Sequence, residues 1–431
     1  MLHFGWFVGH GFGVQGWGTP GYAQGYDWKQ PQIYQAAARL FERSGLDLFI
    51  IEDSLTVPDT YGGSAEVSLA QASFAPKHDP LALVPYLLSA TENLGVVPTV
   101  SASFYPPFTA ARLLATLQHF SQRQLGWNVV TSGSDLAAQN YGLDQQIEHD
   151  RRYAKAEEFV DVVRKLWRSW APDAVLEDVA AGRYADHRKV APIDHRGEFF
   201  AVRGPLNTAP LPEEPVLVQA GASPRGKAFA GANADVALAL ARGVDGMRGY
   251  RDSVRAEAVR AGRDPDEVKV LFVTKPTVVG SRAEAQELRE SRKNLSRRDI
   301  DSQLNSISYL SGIDFRKFDL DQPLPALSTN SNRGTLAHFT SSAPDGATLR
   351  EILQRRSGGA GDSIIGTAEE IADYFEASAE AVGGDGFLLS GFVDPATVHG
   401  VLDRLAPVLR HRGLLRSSYG DGGLRSNLRD F

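Results

Sequence analysis

Two glycine-rich segments and one polar cluster are where residue type and spacing could do chemistry in this chain of 431 residues. Gly11-Phe12-Gly13-Val14-Gln15-Gly16 has the spacing of a dinucleotide-binding turn. Such a turn needs its last glycines to open a helix, whose N–H groups then face the pyrophosphate. Trp17-Gly18-Thr19-Pro20-Gly21 follows instead and cannot be helical, so the segment reads as a wide loop after a first strand. Gly221-Ala222-Ser223-Pro224-Arg225-Gly226-Lys227 is closer to a phosphate loop, yet Ala228 stands where a magnesium-binding hydroxyl belongs. Ser223 suits a helix N-cap and Pro224 the first helical position, leaving backbone N–H groups for an anion. A metal-free monophosphate of the flavin type fits better than ATP. A P-loop-like nucleotide-binding protein using Gly221–Lys227 is the alternative.

The polar cluster spans residues 126 to 153. Asn128 interrupts the apolar run Gly126–Val130, and a buried amide requires specific partners. His149-Asp150-Arg151-Arg152-Tyr153 leads into the clearest helical pattern, with Ala156, Phe159, Val160, Val163, Leu166, Trp167 and Trp170 at three- and four-residue spacing. Asp150 reads as an N-cap or first-turn acid. Tyr153 lies on the apolar stripe, so its hydroxyl needs a buried polar partner. His149, just ahead of the helix, reads equally as a surface residue.

These groups must be held by the elements around them. Strands are expected at Phe4–Val8, Leu48–Ile51, 95–100, 125–130, 215–219, 235–240, 268–273 and 386–389, most followed by a helical pattern. Repeated strand–helix units imply parallel strands, and eight of them close a (β/α)8 barrel. The expected fold class is therefore α/β, a TIM barrel forming a single domain over 1–431. Insertions near 54–77, 171–211 and 295–347 interrupt it, the last expected as a mobile lid or an ordered cover. Gly358–Gly361 reads as a turn. The chain carries 45 Lys and Arg against 52 Asp and Glu, a net charge of −7, which argues against nucleic acid or an anionic membrane surface as partner. Zero cysteines exclude disulfides, thiolate metal sites and a cysteine nucleophile. No apolar run is long enough to span a membrane, and the N-terminus lacks a basic signal region, so a cytoplasmic protein is expected.

Several motifs carry a family resemblance. Trp127-Asn128-Val129-Val130-Thr131-Ser132, His149-Asp150-x-x-Tyr153, Leu166-Trp167-x-Ser169-Trp170 and Gln219-Ala220-Gly221-x-Ser223-x-x-Gly226 resemble the nitrilotriacetate monooxygenase, pristinamycin synthase and dibenzothiophene-sulfone monooxygenase group. Further matches are Asp186-x-x-Lys189-Val190, His195-x-Gly197-x-x-Phe200, Leu320-Asp321-x-Pro323-Leu324-Pro325 and Arg412-Gly413-Leu414-x-Arg416-x-x-Tyr419. These are flavin-dependent members of the bacterial-luciferase-like superfamily. The resemblance implies reduced FMN at the C-terminal ends of the strands and O2 as cosubstrate. One oxygen would be inserted through a flavin peroxide, with the cofactor carrying the chemistry. It also implies a separate NAD(P)H:flavin reductase as partner, and a homodimer or homotetramer. Asp53 maps to a flavin contact, and Ser101 and Asn128 to the isoalloxazine edge or ribityl chain. Tyr153, Ser223 and backbone N–H groups near Gly221 and Ala222 map to the phosphate, with His149 near the ribityl chain or phosphate.

His10, at the end of the first strand, is the candidate catalytic group, since a histidine titrating near neutrality could donate a proton. Trp17 is a candidate substrate contact, although this chain has Gly18 where the family often has Arg. No metal ligand set is expected. A non-catalytic flavin-binding protein is a second alternative. Substrate choice falls to the insertions, through Tyr61, Phe74 and Lys77 early and Asn330, Asn332, Arg333 and His338 late. A cation reaching the pocket would favour an acidic substrate, and aromatics alone an apolar one.

Overall fold

Short runs of β-branched and leucine residues, bounded by polar turns, supply the inner wall of the molecule. The computed structural model describes residues 1–241, 243–344, 346–357 and 363–431, so the expected turn at Gly358–Gly361 lies outside the described residues. The strands are β1 (His3–Val8), β2 (Leu48–Ile51), β3 (Gly95–Ser101), β4 (Gly126–Val130), β5 (Val216–Ala220), β6 (Val236–Ala239), β7 (Lys269–Val278) and β8 (Gly386–Ser390). Each pairs in parallel with the next, and β8 returns to β1 through His3 to Gly386, closing the barrel. Alternate residues point inward. Leu48, Ile50, Val97, Val218, Leu271 and Leu388 fill the barrel as one buried cluster. Each such side chain contributes roughly 1.5–3 kcal/mol by leaving water.

Helices cover the outside: α1 (Pro31–Ser44), α2 (Pro80–Leu88), α3 (Pro107–Phe120), α4 (His149–Trp167), α5 (Pro224–Asn233), α6 (Gly243–Arg260), α7 (Ala368–Val382) and α8 (Pro395–His411). Helix α4 begins one residue after Glu148, whose carboxylate accepts from the N–H groups of Asp150 and Arg151. Glu148 is thus the cap, and Asp150 is a first-turn acid. The helix ends at Trp167. Trp170 lies beyond it, donating its indole N–H to the Leu206 carbonyl at 2.7 Å. Helix α5 is capped as expected, with Ser223 Oγ accepting from the Gly226 N–H at 3.0 Å.

The three interruptions differ in kind. The segment after β2 holds a 3-10 turn at Tyr61–Gly63 and a short helix at Glu66–Ala70. The segment after α4 folds as two small antiparallel hairpins, Val175–Asp178 with Arg183–Ala185 and His195–Arg196 with Ala201–Val202. The late insertion is an ordered cover: helices run over Arg282–Lys293, Arg297–Ser311, Arg333–Thr340 and Leu349–Ser357. Early and late insertions share a core in which Tyr61 packs with Ile300, Leu304, Phe315 and Phe339. The Tyr61 hydroxyl donates to Asp301 at 2.7 Å, and Ser68 donates to Asn305 at 2.9 Å. A further strand, Ser363–Gly366, pairs with the outer half of β7, Lys275 opposite Ser363. Among the described residues no helix is long and apolar enough to cross a membrane.

Candidate functional site

The inward row at the C-terminal ends of the strands changes from wholly apolar to mixed, with polar residues at β2, β3 and β4. Phe7, Glu52, Thr99, Asn128, Ala220 and Val273 succeed one another around the barrel mouth and floor a cavity of about 1430 Å3, including its opening to solvent. Tyr309, Leu310, Ser331, Asn332 and Gly334 of the late insertion roof it. The cavity sits where parallel barrels place their ligands, because only there do loops from every strand converge.

On the β4–β5 side the parts interlock. Asn128 is buried and donates Nδ2–H to Thr99 Oγ1 at 2.8 Å, and Thr99 donates onward to the Ile51 carbonyl at 2.8 Å. That chain fixes the amide and leaves Oδ1 buried without a partner among the described residues, an uncommon state that calls for a further donor. Tyr153 is buried with its hydroxyl close to the polar side chains of Ser223, Gln219 and Thr131, and burial raises its pKa. Tyr250 donates to the Gly221 carbonyl at 2.8 Å. The two glycines of the turn are needed for the close approach. A Cβ on Gly226 would lie 2.7 Å from the Tyr153 hydroxyl and 3.0 Å from Gly221 Cα. Gly221, Ala222, Ser223, Tyr153 and His149 all line the cavity beside the start of α5. An N–H-rich helix start, a hydroxyl cluster and an unsatisfied amide oxygen form a set that fits a phosphate and the polar chain of FMN. The Lys227 ammonium lies 5.3 Å from the Tyr250 ring and is not among the cavity-lining residues, and the closed parallel barrel argues against the P-loop alternative.

His149 is buried rather than on the surface. Its Nδ1 lies 2.6 Å from Asp150 Oδ1, and its backbone N–H donates to Asn330 of the roof at 2.8 Å. Ser101 is buried with its hydroxyl 2.9 Å from that of Ser132. It is not among the cavity-lining residues, a place taken by Thr99 two residues earlier and by Ser132. Asp53 lines the cavity, and burial with the adjacent Glu52 raises its pKa to about 7. Glu52 is bonded to Lys77.

His10 departs from expectation. Its ring packs edge-on against Phe392 at 4.4 Å, and burial together with Lys77 and Lys275 lowers its pKa to about 3. Such surroundings favour the neutral imidazole, unlike the histidine titrating near neutrality that the sequence suggests. His10 also lies off the described cavity lining. Trp17 is exposed and donates to the Ala70 carbonyl, so it belongs to the contact with the early insertion. Tyr61 serves the insertion core, and Phe74 packs on Tyr309 at 4.7 Å. Arg333 pairs with Glu148 at 3.0 Å and Asp150 at 3.4 Å.

Sequence reasoning misses Arg152, which is buried and donates to the carbonyls of Ile147, Asn330 and Ser331. A signal for it exists, as an arginine one position before Tyr153 on a buried helix face. It clamps the roof onto α4. Among the described residues no three metal-ligating side chains converge.

Residues 2–386 match the luciferase-like monooxygenase family. The chain belongs to that family. Dibenzothiophene-sulfone monooxygenase of Rhodococcus erythropolis is 37% identical over 411 residues, 93% of this chain and 90% of the relative. Nitrilotriacetate monooxygenase component A of Aminobacter aminovorans is 36% identical over 427 residues, 96% and 92% of the two chains. A riboflavin lyase solved with modified FMN and riboflavin superposes with a TM-score of 0.88 at 29% identity, covering 100% of this chain and 96% of that one. Family membership makes this protein an oxidoreductase of the monooxygenase kind on a luciferase-like TIM barrel, and a flavin site is consistent with the polar β4–β5 side of the mouth.

Proposed function

We propose that the protein is the oxygenase component of a two-component system that takes up FMN reduced by a separate NAD(P)H:flavin reductase and inserts one atom of O2 into a small organic substrate. The observation that carries this reading is the pairing of an unsatisfied Asn128 Oδ1 with the Gly221–Gly226 cradle on one wall of a roofed cavity. In this reading Ser223, Tyr153 and the N–H groups at the start of α5 hold the phosphate, while Asn128 and Asp53 face the flavin. His149 braces the phosphate end from the start of α4, and Ser101 acts through Ser132. Bound reduced FMN supplies the electrons that activate O2. The chain positions the substrate and excludes water beneath the roof, which limits unproductive loss of the oxidant. His10 stays neutral and acts at most by hydrogen bonding.

The test uses purified protein with FMN, NADH and O2, with and without an added flavin reductase, following product mass for one added oxygen. Product is expected only with the reductase or with chemically reduced FMN. NADH consumption by the protein alone at the rate of the full reaction would overturn the two-component reading. Binding of FMN without any substrate oxidation, across sulfur, amine and ring substrates, would favour a binding-only protein. We propose a dimer or tetramer in solution, which sedimentation would test.

A further inference from the structure

Across the mouth from the phosphate cradle, strand β7 continues beyond the barrel and carries a lysine on the inward row. Leu271 belongs to the barrel interior and Val273 lines the cavity. The alternation of strand side chains makes Lys275 the next inward residue and Thr277 the one after it. The Lys275 side chain remains accessible, as do those of Ala220 and Leu240 on the cavity wall, although protein surrounds it closely enough to lower its pKa by desolvation. Lys275 thus stands one step above the cavity-lining Val273, at the rim and not among the lining residues themselves. Arg292, from the first helix of the late insertion, reaches the same row and donates to Thr277 Oγ1 at 3.4 Å.

The other cations near the mouth are already engaged. Lys77 is bonded to Glu52, Arg333 to Glu148 and Asp150, and Arg152 to three carbonyls. Lys275 has no hydrogen-bond or ion-pair partner among the described residues. The one charge acting on it is that of Arg292, which is also desolvated. Cations held on one strand row without a carboxylate partner are costly unless a ligand brings the negative charge. Nearby His10 adds no charge because Lys275 itself helps to keep it neutral.

We propose that Lys275 and Arg292 form an anion-recognising pole at the β7 side of the mouth, which selects substrates carrying a carboxylate or sulfonate on an apolar body. The apolar body is matched by Phe7, Leu240, Val273 and Leu310 along the cavity. The assignment of the bound anion as a substrate rests on the monooxygenase reading above. The anion site itself does not.

The probe pair is (phenylthio)acetate and (phenylthio)acetamide, which differ in charge and share an oxidisable sulfur and an aromatic body. Calorimetric titration into the FMN-loaded protein is expected to show the acid binding at least tenfold more tightly than the amide. Lys275→Met should bring that ratio close to one, and Lys275→Arg should restore most of it, which separates lost charge from misfolding. FMN affinity, read by flavin fluorescence quenching, should stay within twofold in both variants. A ratio near one in the wild type, or a ratio unchanged by Lys275→Met, overturns the proposal. So does a Lys275→Met protein whose bound-flavin potential shifts while the ratio holds, since the charge would then serve the flavin. If the wild type does not take up FMN, the functional reading fails alone, and the same acid–amide titration on the FMN-free protein decides the anion pole.

Discussion

The two sides of the barrel mouth are built differently. On the β4–β5 side the polar groups are held by near neighbours, Asn128 Nδ2 by Thr99 and Ser223 by the start of α5, while the oxygens Asn128 Oδ1 and Gln219 Oε1 are without partners among the described residues. Two glycines hold the backbone too close for any other residue. On the β7 side Lys275 has no partner among the described residues, and Arg292 of the following helix donates to Thr277 on the same strand. A cofactor shared by a family rewards a rigid cradle with open acceptors. A substrate that differs between members rewards side chains carried on replaceable segments.

Substitutions put that contrast to the test. The largest effect is expected from Gly226→Ala, since the new Cβ would press on Tyr153 and on Gly221 Cα. FMN affinity should fall about 100-fold, or ~2.7 kcal/mol, in a fluorescence titration. A change below threefold would mean that the cradle is not the phosphate site. Arg152→Met comes next. Loss of three charged hydrogen bonds to the roof should cost about 2 kcal/mol and raise proteolysis within residues 312–332, with a smaller change in FMN affinity. Equal losses of both would erase the distinction between cradle and roof.

Asp53→Asn tests the polar floor by pH. With its pKa raised to about 7 in the fold, Asp53 keeps a proton that the unfolded chain releases near its ordinary value. Folding stability from this group is therefore lost as pH rises from about 4 to 7 and stays lost above that. The unfolding free energy of Asp53→Asn should gain on the wild type over that window, by an amount on the order of 1–2 kcal/mol after allowing for partial exposure, with Tm rising in step. A parallel pair of Tm curves would show an ordinary surface aspartate. Arg333→Ala should have the smallest effect, below about 0.5 kcal/mol, because its pairs with Glu148 and Asp150 are exposed.

Much of the cradle is legible in the amino-acid sequence. Ser223 and Pro224 announce a capped helix start, Asn128 stands out in an apolar run, and Tyr153 falls on a buried stripe. In each case the signal is local. Expectation fails where local pattern meets distant partners. His10 reads as a neutral-range acid because its sequence neighbours do not reveal Lys77 and Lys275. Ser101 stands in for Thr99 as the expected contact because both share the inward face of β3 and only the tertiary structure shows Ser101 taken up by Ser132 while Thr99 lines the cavity. Arg152 escapes notice because its partners, Asn330 and Ser331, lie far along the chain.

The eight strand–helix units, the capped turn at Gly221–Gly226 and the family follow from the order of residues alone, since each depends on spacing within a few positions or on motifs in succession. Which charges are matched at the mouth does not. That outcome depends on which side chains from β2, β7, α4 and the late insertion converge in space, and electrostatic energy follows that distance, not separation along the chain.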